Sequence, residues 1–273
     1  MGSNSEIIEA AEVDMKLPSW RSMAQRSLNK VGYRIVPVER SRDLPHDIEP
    51  EFEEMYQRTR PYTLTNMLRM YALYKAVEYV VSSPIPGDIV ECGVWKGGSS
   101  MMAASTLLKN GDSARRLWLY DTYTGMTEPA ENDIRATDGT PAVSLWQEYQ
   151  QKDGSQWMSM PLEEARVNML STGYPEKNIS FVEGRVEDTI PNSIPGRIAL
   201  LRLDTDWYES TYHELNHLFP RLSPHGVLII DDYGWWKGAK QATDQYFEEN
   251  NIQILLNRID SSGRMGLKMG AST

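Results

Sequence analysis

The chain has 273 residues, 40% of them apolar, enough for one large α/β domain with additions or for two small domains. Its 28 basic residues against 38 acidic ones leave a net charge of −10, which argues against nucleic acid or an anionic membrane surface as partner. A single cysteine, Cys92, rules out an intrachain disulfide framework and suits a reducing, cytoplasmic setting. No apolar run is long enough to cross a bilayer, and the polar start is unlike a secretory signal.

Residues 1–55 read as an arm and a linker. Leu17, Trp20, Met23 and Leu28 fall roughly on one helical face, among Lys16, Arg21, Arg26, Lys30 and Arg34, and Tyr33 to Val36 is extended. Such an arm suits packing on a second subunit, so a homo-oligomer is expected. The acidic, proline-containing stretch 41–54 reads as the linker. Leu64, Met67, Leu68, Tyr71 and Tyr74 then recur at helical spacing, predicting a helix from Thr63 to about Val81.

Gly87 to Ser100 reads as a strand, a glycine-rich turn and the start of a helix. Ser99 or Ser100 is the expected helix cap. The glycines are spaced G-x-x-x-G-G, unlike the dinucleotide fingerprint, and Glu91 precedes the first of them. An acid there would repel a pyrophosphate but suits a ligand carrying an ammonium or sulfonium; the plain alternative is a tight turn with no ligand.

Leu117 to Asp121 is the second expected strand. Residues 122–160 lack sustained periodicity and read as a lid or binding loop. A helix over 162–170 follows, then strands at 179–182, 198–204 and 226–232, a helix at 241–247, and final strands at 252–257 and 266–269. Near-continuous apolar strands alternating with helices predict a parallel sheet covered on both faces.

Three strands end in carboxylates: Asp121, then Asp204 with Asp206, then Asp231 with Asp232. Ligands of open parallel sheets bind at that edge, and acids converging there repel one another unless a cation sits among them. A hard divalent ion, Mg²⁺ first, fits oxygen ligands; separate helix caps are the simpler alternative. Asp121 suits a ribose diol, in a nicotinamide site or an S-adenosylmethionine site alike. Glu91 and the glycine spacing favour the sulfonium. His213 and His217, four apart on a helix, have ligand spacing but read as packing residues. Trp235 and Trp236 read either as a platform for a sugar face or as packing.

Four blocks together resemble the macrocin O-methyltransferase family: Val90-Glu91-Cys92-Gly93-Val94-Trp95-Lys96-Gly97-Gly98-Ser99, Tyr120-Asp121-Thr122-Tyr123-Thr124-Gly125-Met126, Arg202-Leu203-Asp204-Thr205-Asp206-Trp207-Tyr208-Glu209-Ser210-Thr211 and Ile230-Asp231-Asp232-Tyr233-Gly234. The resemblance runs from about Thr59 to about Met269. It implies a class I methyltransferase-like α/β fold, doubly wound, with a mostly parallel seven-stranded sheet and helices on both faces. The methyltransferase domain would span 56–273, with its lid at about 122–160.

The resemblance further implies S-adenosylmethionine and Mg²⁺ as cofactors, and a hydroxyl of a vicinal diol as acceptor, on a sugar of a glycosylated natural product or glycan. Asp204, Asp231 and Asp232 would bind the metal, and Asp206 would be the general base. Glu91, Gly93 and Ser99 would hold the cofactor's amino-acid part, Asp121 its ribose, and Arg185 and Val186 its adenine. A catechol-type methyltransferase and a nicotinamide-dependent oxidoreductase are the alternatives.

Overall fold

The computed structural model describes residues 47–151, 154–155 and 157–270. The described chain from Glu49 onward forms one compact unit. The arm expected at Leu17 to Val38 lies outside the described residues.

Where the acids and prolines suggested a linker, residues 50–59 form a helix, α1 (Pro50–Thr59). Pro50 sits in the first turn, where its missing N–H costs nothing, and Glu51 and Glu53 complement the macrodipole. Phe52 is buried and meets Tyr71 edge-on at 5.0 Å. Helix α2 (Met67–Ser82) is capped by Asn66, whose side chain accepts the Arg69 amide at 3.0 Å. Its buried face is Met70, Leu73, Tyr74, Val77 and Val80, which shares Tyr74 with the expected stripe. Leu64, before the helix, and Leu68 are exposed, because the apolar residues there run almost all round and spacing alone leaves the face open.

The sheet has seven strands: β1 (Asp88–Cys92), β2 (Leu117–Asp121), β3 (Ile179–Glu183), β4 (Ile198–Leu203), β5 (Leu222–Ile230), β6 (Asn257–Arg258) and β7 (Arg264–Leu267). Their order is β3-β2-β1-β4-β5-β7-β6, with the first five parallel to one another and β7 antiparallel to both β5 and β6. The penultimate strand is shorter than its apolar run suggested, 252–256 not being strand, and the last begins two residues earlier than expected. The other helices are α3 (Gly98–Lys109), α4 (Ala142–Tyr149), α5 (Leu162–Leu170), α6 (Val186–Thr189), α7 (Tyr208–Leu218) and α8 (Lys237–Glu249). Helix α4 lies inside the stretch that showed no sustained periodicity, being too short to establish one.

Side chains alternate along each strand. Val90, Cys92, Leu201, Leu203, Leu228 and Ile230 pack against Leu215 and Leu218 of α7 and Tyr246 of α8. The intervening residues face the other side, where α2 and α3 cover the sheet; there β1 and β4 carry Glu91 and Arg202, paired in register. No helix among the described residues is long and apolar enough to cross a membrane.

Candidate active site

The carboxyl ends of β1, β2, β4 and β5 open into one cavity of about 410 Å³. Gly93, φ +83°, is required where the turn after β1 meets the turn after β4: a Cβ there would lie 2.0 Å from the Asp204 carbonyl oxygen. Gly98 lets α3 start against Tyr62, whose backbone would lie 2.6 Å from an added Cβ. The residue at the N-cap of α3 is Gly97, not a serine.

Both serines are turned inward instead. Ser99 Oγ donates to Glu91 Oε1 at 2.6 Å, and Ser100 Oγ donates to Glu91 Oε2. Gly93 and Ser99 line the cavity, whereas Glu91 lies behind its wall. Arg202, 2% exposed, donates through Nη1 to Glu91 Oε1 at 2.5 Å and Asp204 Oδ2 at 2.7 Å. Its Nη2 reaches Asp231 Oδ1 at 2.5 Å and Thr65 Oγ1 at 3.0 Å. Arg69 Nη1 pairs with Asp231 Oδ2, and its Nε lies 3.1 Å from Asp260. Buried charges persist only with such partners. An arginine in a fully apolar strand was the sequence signal for Arg202; nothing in the local pattern marked Arg69.

Asp121 accepts the amides of Val94 at 2.7 Å and Trp95 at 2.8 Å on one oxygen, and that of Tyr123 at 2.8 Å on the other. Trp95 and Tyr123 are both left-handed, at φ 48° and 53°. Asp121 therefore holds the two turns that shape this end of the cavity as well as facing it. Arg185 and Val186, at the start of α6, line the cavity too, and Arg185 pairs with Glu187 at 3.3 Å.

Asp204, Asp231 and Asp232 each offer an oxygen, all within 4.8 Å of one another. Asp232 Oδ2 is buried with no hydrogen-bond partner. Burial, then Asp206 and Asp231, hold the Asp232 carboxyl well above its usual range; burial and the charges of Asp231 and Asp232 do the same to Asp204 against the pull of Arg202. Six acids (Glu91, Asp204, Asp206, Asp231, Asp232 and Asp260) thus meet two arginines, leaving a formal deficit that a divalent cation would halve. The donor set, all oxygen, is that of a hard ion.

Asp206 sits on a turn at φ 69° and accepts Trp236 Nε1 at 2.9 Å. Protein surrounds it except towards the cavity, and burial, then the charge of Asp204, push its pKa to about 7. Trp207 and Trp236 are buried and meet edge-on at 5.1 Å, while Trp235 is 40% exposed at the cavity wall. His213 bonds the Ile190 carbonyl at 2.9 Å and stacks near His217, away from the cavity lining.

Glu214 of α7, fully buried, accepts Thr205 Oγ1 at 3.0 and 3.2 Å from behind the Asp204–Asp206 turn. Burial pushes its carboxyl well up, so the folded chain holds a proton that the unfolded chain releases. The stability this group contributes is therefore full below about pH 4.5 and is lost as pH rises towards the folded pKa. Glu214→Gln should raise the Tm at pH 7 by about 3 °C, the equivalent of roughly 1 kcal/mol, and change it little at pH 4. Thermal unfolding across that range checks this; a lower Tm at pH 7 would mean that the fold uses the carboxylate.

Residues 26–265 match the profile of a family described as macrocin-O-methyltransferase (TylF). The chain is 34% identical over 245 residues to 8-demethyl-8-(2,3-dimethoxy-alpha-L-rhamnosyl)-tetracenomycin-C 4'-O-methyltransferase of Streptomyces olivaceus, covering 88% of this chain and 89% of that one. It is 30% identical over 202 residues to demethyldecarbamoylnovobiocin O-methyltransferase of Streptomyces niveus, covering 74% of each. The solved structure of the O-methyltransferase NovP superposes with a TM-score of 0.68 at 27% identity, over 77% of this chain and 83% of that one.

Proposed function

The chain belongs to the macrocin-O-methyltransferase family and is an O-methyltransferase; from that premise we propose that it moves the methyl group of S-adenosylmethionine to a sugar hydroxyl of a glycosylated natural product, with Mg²⁺ held by Asp204, Asp231 and Asp232. The observation that carries the metal is the partnerless Asp232 Oδ2 among three converging carboxylates. An ion there supplies Lewis-acid polarisation of an acceptor oxygen.

The remaining work falls to the chain. The amides of the Gly93–Ser99 turn would hold the donor's amino-acid part, with Glu91 acting through Ser99, whose hydroxyl it accepts, and through Arg202 rather than by contact. Asp121 would accept from the ribose, and Arg185 and Val186 would border the adenine. Asp206, its carboxyl pushed up to about 7 by burial and the charge of Asp204, would accept the acceptor hydroxyl's proton, and S-adenosylmethionine when bound would supply an electrophilic methyl group. Trp236 Nε1 keeps that carboxylate oriented.

A glycoside is favoured over a free nucleotide sugar by the cavity's charge. Its two basic lining side chains, Arg69 and Arg185, are both ion-paired, so a diphosphate would find no arginine or lysine there free to pair with it, the proposed ion being already shared among three carboxylates. Leu64, Met158 and Trp235, all well exposed at the cavity, offer an apolar rim for an aglycone. A neighbouring free hydroxyl is proposed as second oxygen. The Streptomyces olivaceus relative's name places an ether beside its 4'-hydroxyl, so either oxygen type enters the test.

Labelled methyl transfer from S-adenosylmethionine to glycosides with a free or methylated neighbouring oxygen, to nucleotide sugars and to catechols, with Mg²⁺ or with EDTA, decides the reading. Transfer to glycosides that EDTA abolishes is expected. Full activity in EDTA would sink the metal role, and exclusive transfer to catechols would replace the sugar.

A further inference from the structure

The helices that follow the two acidic turns start without caps of their own. Neither Trp207, before α7, nor Trp236, before α8, bonds its helix through a side chain. Helix starts leave amides that need acceptors. One turn of the lid stretch provides both. Asp133 Oδ1 accepts the Tyr208 amide at 2.8 Å, and the next residue's carbonyl, Ile134 O, accepts the Lys237 amide at 2.9 Å. Asp133 is 0% exposed, and its other oxygen takes the Ala130 amide at 2.7 Å. Gly238 leaves the room: a Cβ there would lie 1.8 Å from Asp133 Oδ1. The strand-like pairing of Arg135 with Trp236 and the bond from Ala136 N to Trp235 O at 2.8 Å extend the same seam.

We propose that Asp133 is a positioning residue for methyl transfer: by capping α7 across 75 positions of sequence, between two helix starts, it fixes Asp206 relative to the three metal-binding acids. This rests on the reaction proposed above. The link is short. Asp133 holds Tyr208 N, Trp207 precedes Tyr208 and packs on Trp236, and Trp236 Nε1 holds Asp206. Trp207 Nε1 is itself tied to the lid, at Thr127 O, 3.0 Å away. An aspartate serves better than an amide because the two backbone donors take one oxygen each and an amide has only one to offer. The donor-binding turns after β1 and β2 make none of these contacts, so the proposal separates the chemical step from donor binding.

The test compares Asp133→Ala, Asp133→Asn and Gly238→Ala in the full chain, by steady-state kinetics, S-adenosylhomocysteine calorimetry, Mg²⁺ titration and tryptophan emission. In Asp133→Ala, kcat is expected to fall about 100-fold, as for a displacement of about 1 Å at a reacting group. Mg²⁺ affinity should drop about tenfold, as for loss of an outer support. Affinity for S-adenosylhomocysteine should stay within about twofold, and the emission of the Trp207–Trp236 pair should change. Asp133→Asn, keeping one acceptor oxygen, should recover part of kcat. If Asp133→Ala does not fold, Gly238→Ala carries the test, since it displaces the carboxylate without deleting a polar group, and the same selective loss is expected. A kcat near wild type, or equal losses in kcat and S-adenosylhomocysteine binding, would overturn the proposal. Should the wild-type chain methylate nothing in the acceptor panel, the reaction reading fails, while Mg²⁺ affinity and tryptophan emission still judge Asp133.

Discussion

Asp232→Asn is expected to lower kcat/KM about 1,000-fold, a loss of about 4 kcal/mol, while making the metal-free protein more resistant to heat. The two effects share one cause. Asp232 brings a buried oxygen that nothing in the protein satisfies, beside Asp204, Asp206 and Asp231. With a cation that oxygen would be a ligand; without one it has no partner, and burial penalises charging its carboxyl. Its carboxyl is held well above the usual range, so the folded state binds a proton that the unfolded state does not, and stability falls as pH rises through and above the ordinary aspartate range. Asparagine removes that cost at neutral pH. Thermal unfolding with and without Mg²⁺ reads both sides: the ion should raise the Tm of the wild type and leave the variant unmoved. Equal shifts in the two proteins would show that the ion binds elsewhere.

Arg202→Met should destabilise the fold by about 3–5 kcal/mol, the range for removing one partner of a buried ion pair. For a domain of this size that is a fall in Tm of roughly 10 °C. The loss is large because one guanidinium serves Glu91, Asp204, Asp231 and Thr65 at once. Methionine fills the space but leaves buried Glu91 without a cation, and Asp231 with Arg69 alone. The turn before α3 hangs on Glu91 through Ser99 and Ser100, so S-adenosylhomocysteine binding should fail with it. Arg202→Lys keeps the charge without the fork and should fall between. Adding Glu91→Gln to Arg202→Met should restore part of the stability, because one orphaned charge is gone. Simple additivity of the two substitutions in thermal unfolding would mean that the pair is not coupled.

Much of this architecture is legible before folding. Strands β1 and β4 and the second half of β5 are buried on both faces, so they stand out as apolar runs between helices, and β4 is buried from end to end. The acids follow those runs in sequence, so their arrival at one sheet edge could be read off. Less legible were features whose reason lies elsewhere in the chain. Helix α1 was hidden by residues that suit both a linker and a helix start. Ser99 and Ser100 look like caps, but Glu91 beneath them outcompetes the helix amides for their hydroxyls. Asp133 sits in a stretch without periodicity, and only contact with Tyr208 gives it a role.

What this sequence determined by itself is the order of elements, the kinship of its four blocks and which strand ends carry charge, because hydrophobic period and strand-end chemistry are local properties. Tertiary structure alone decided how those charges are balanced. Strands β1 and β4 align Glu91 beside Arg202 only when the sheet forms in register, and α2 brings Arg69 to Asp231 from 162 positions away. Electrostatic compensation in a buried site depends on distances of a few ångströms, and separation along the chain does not set them.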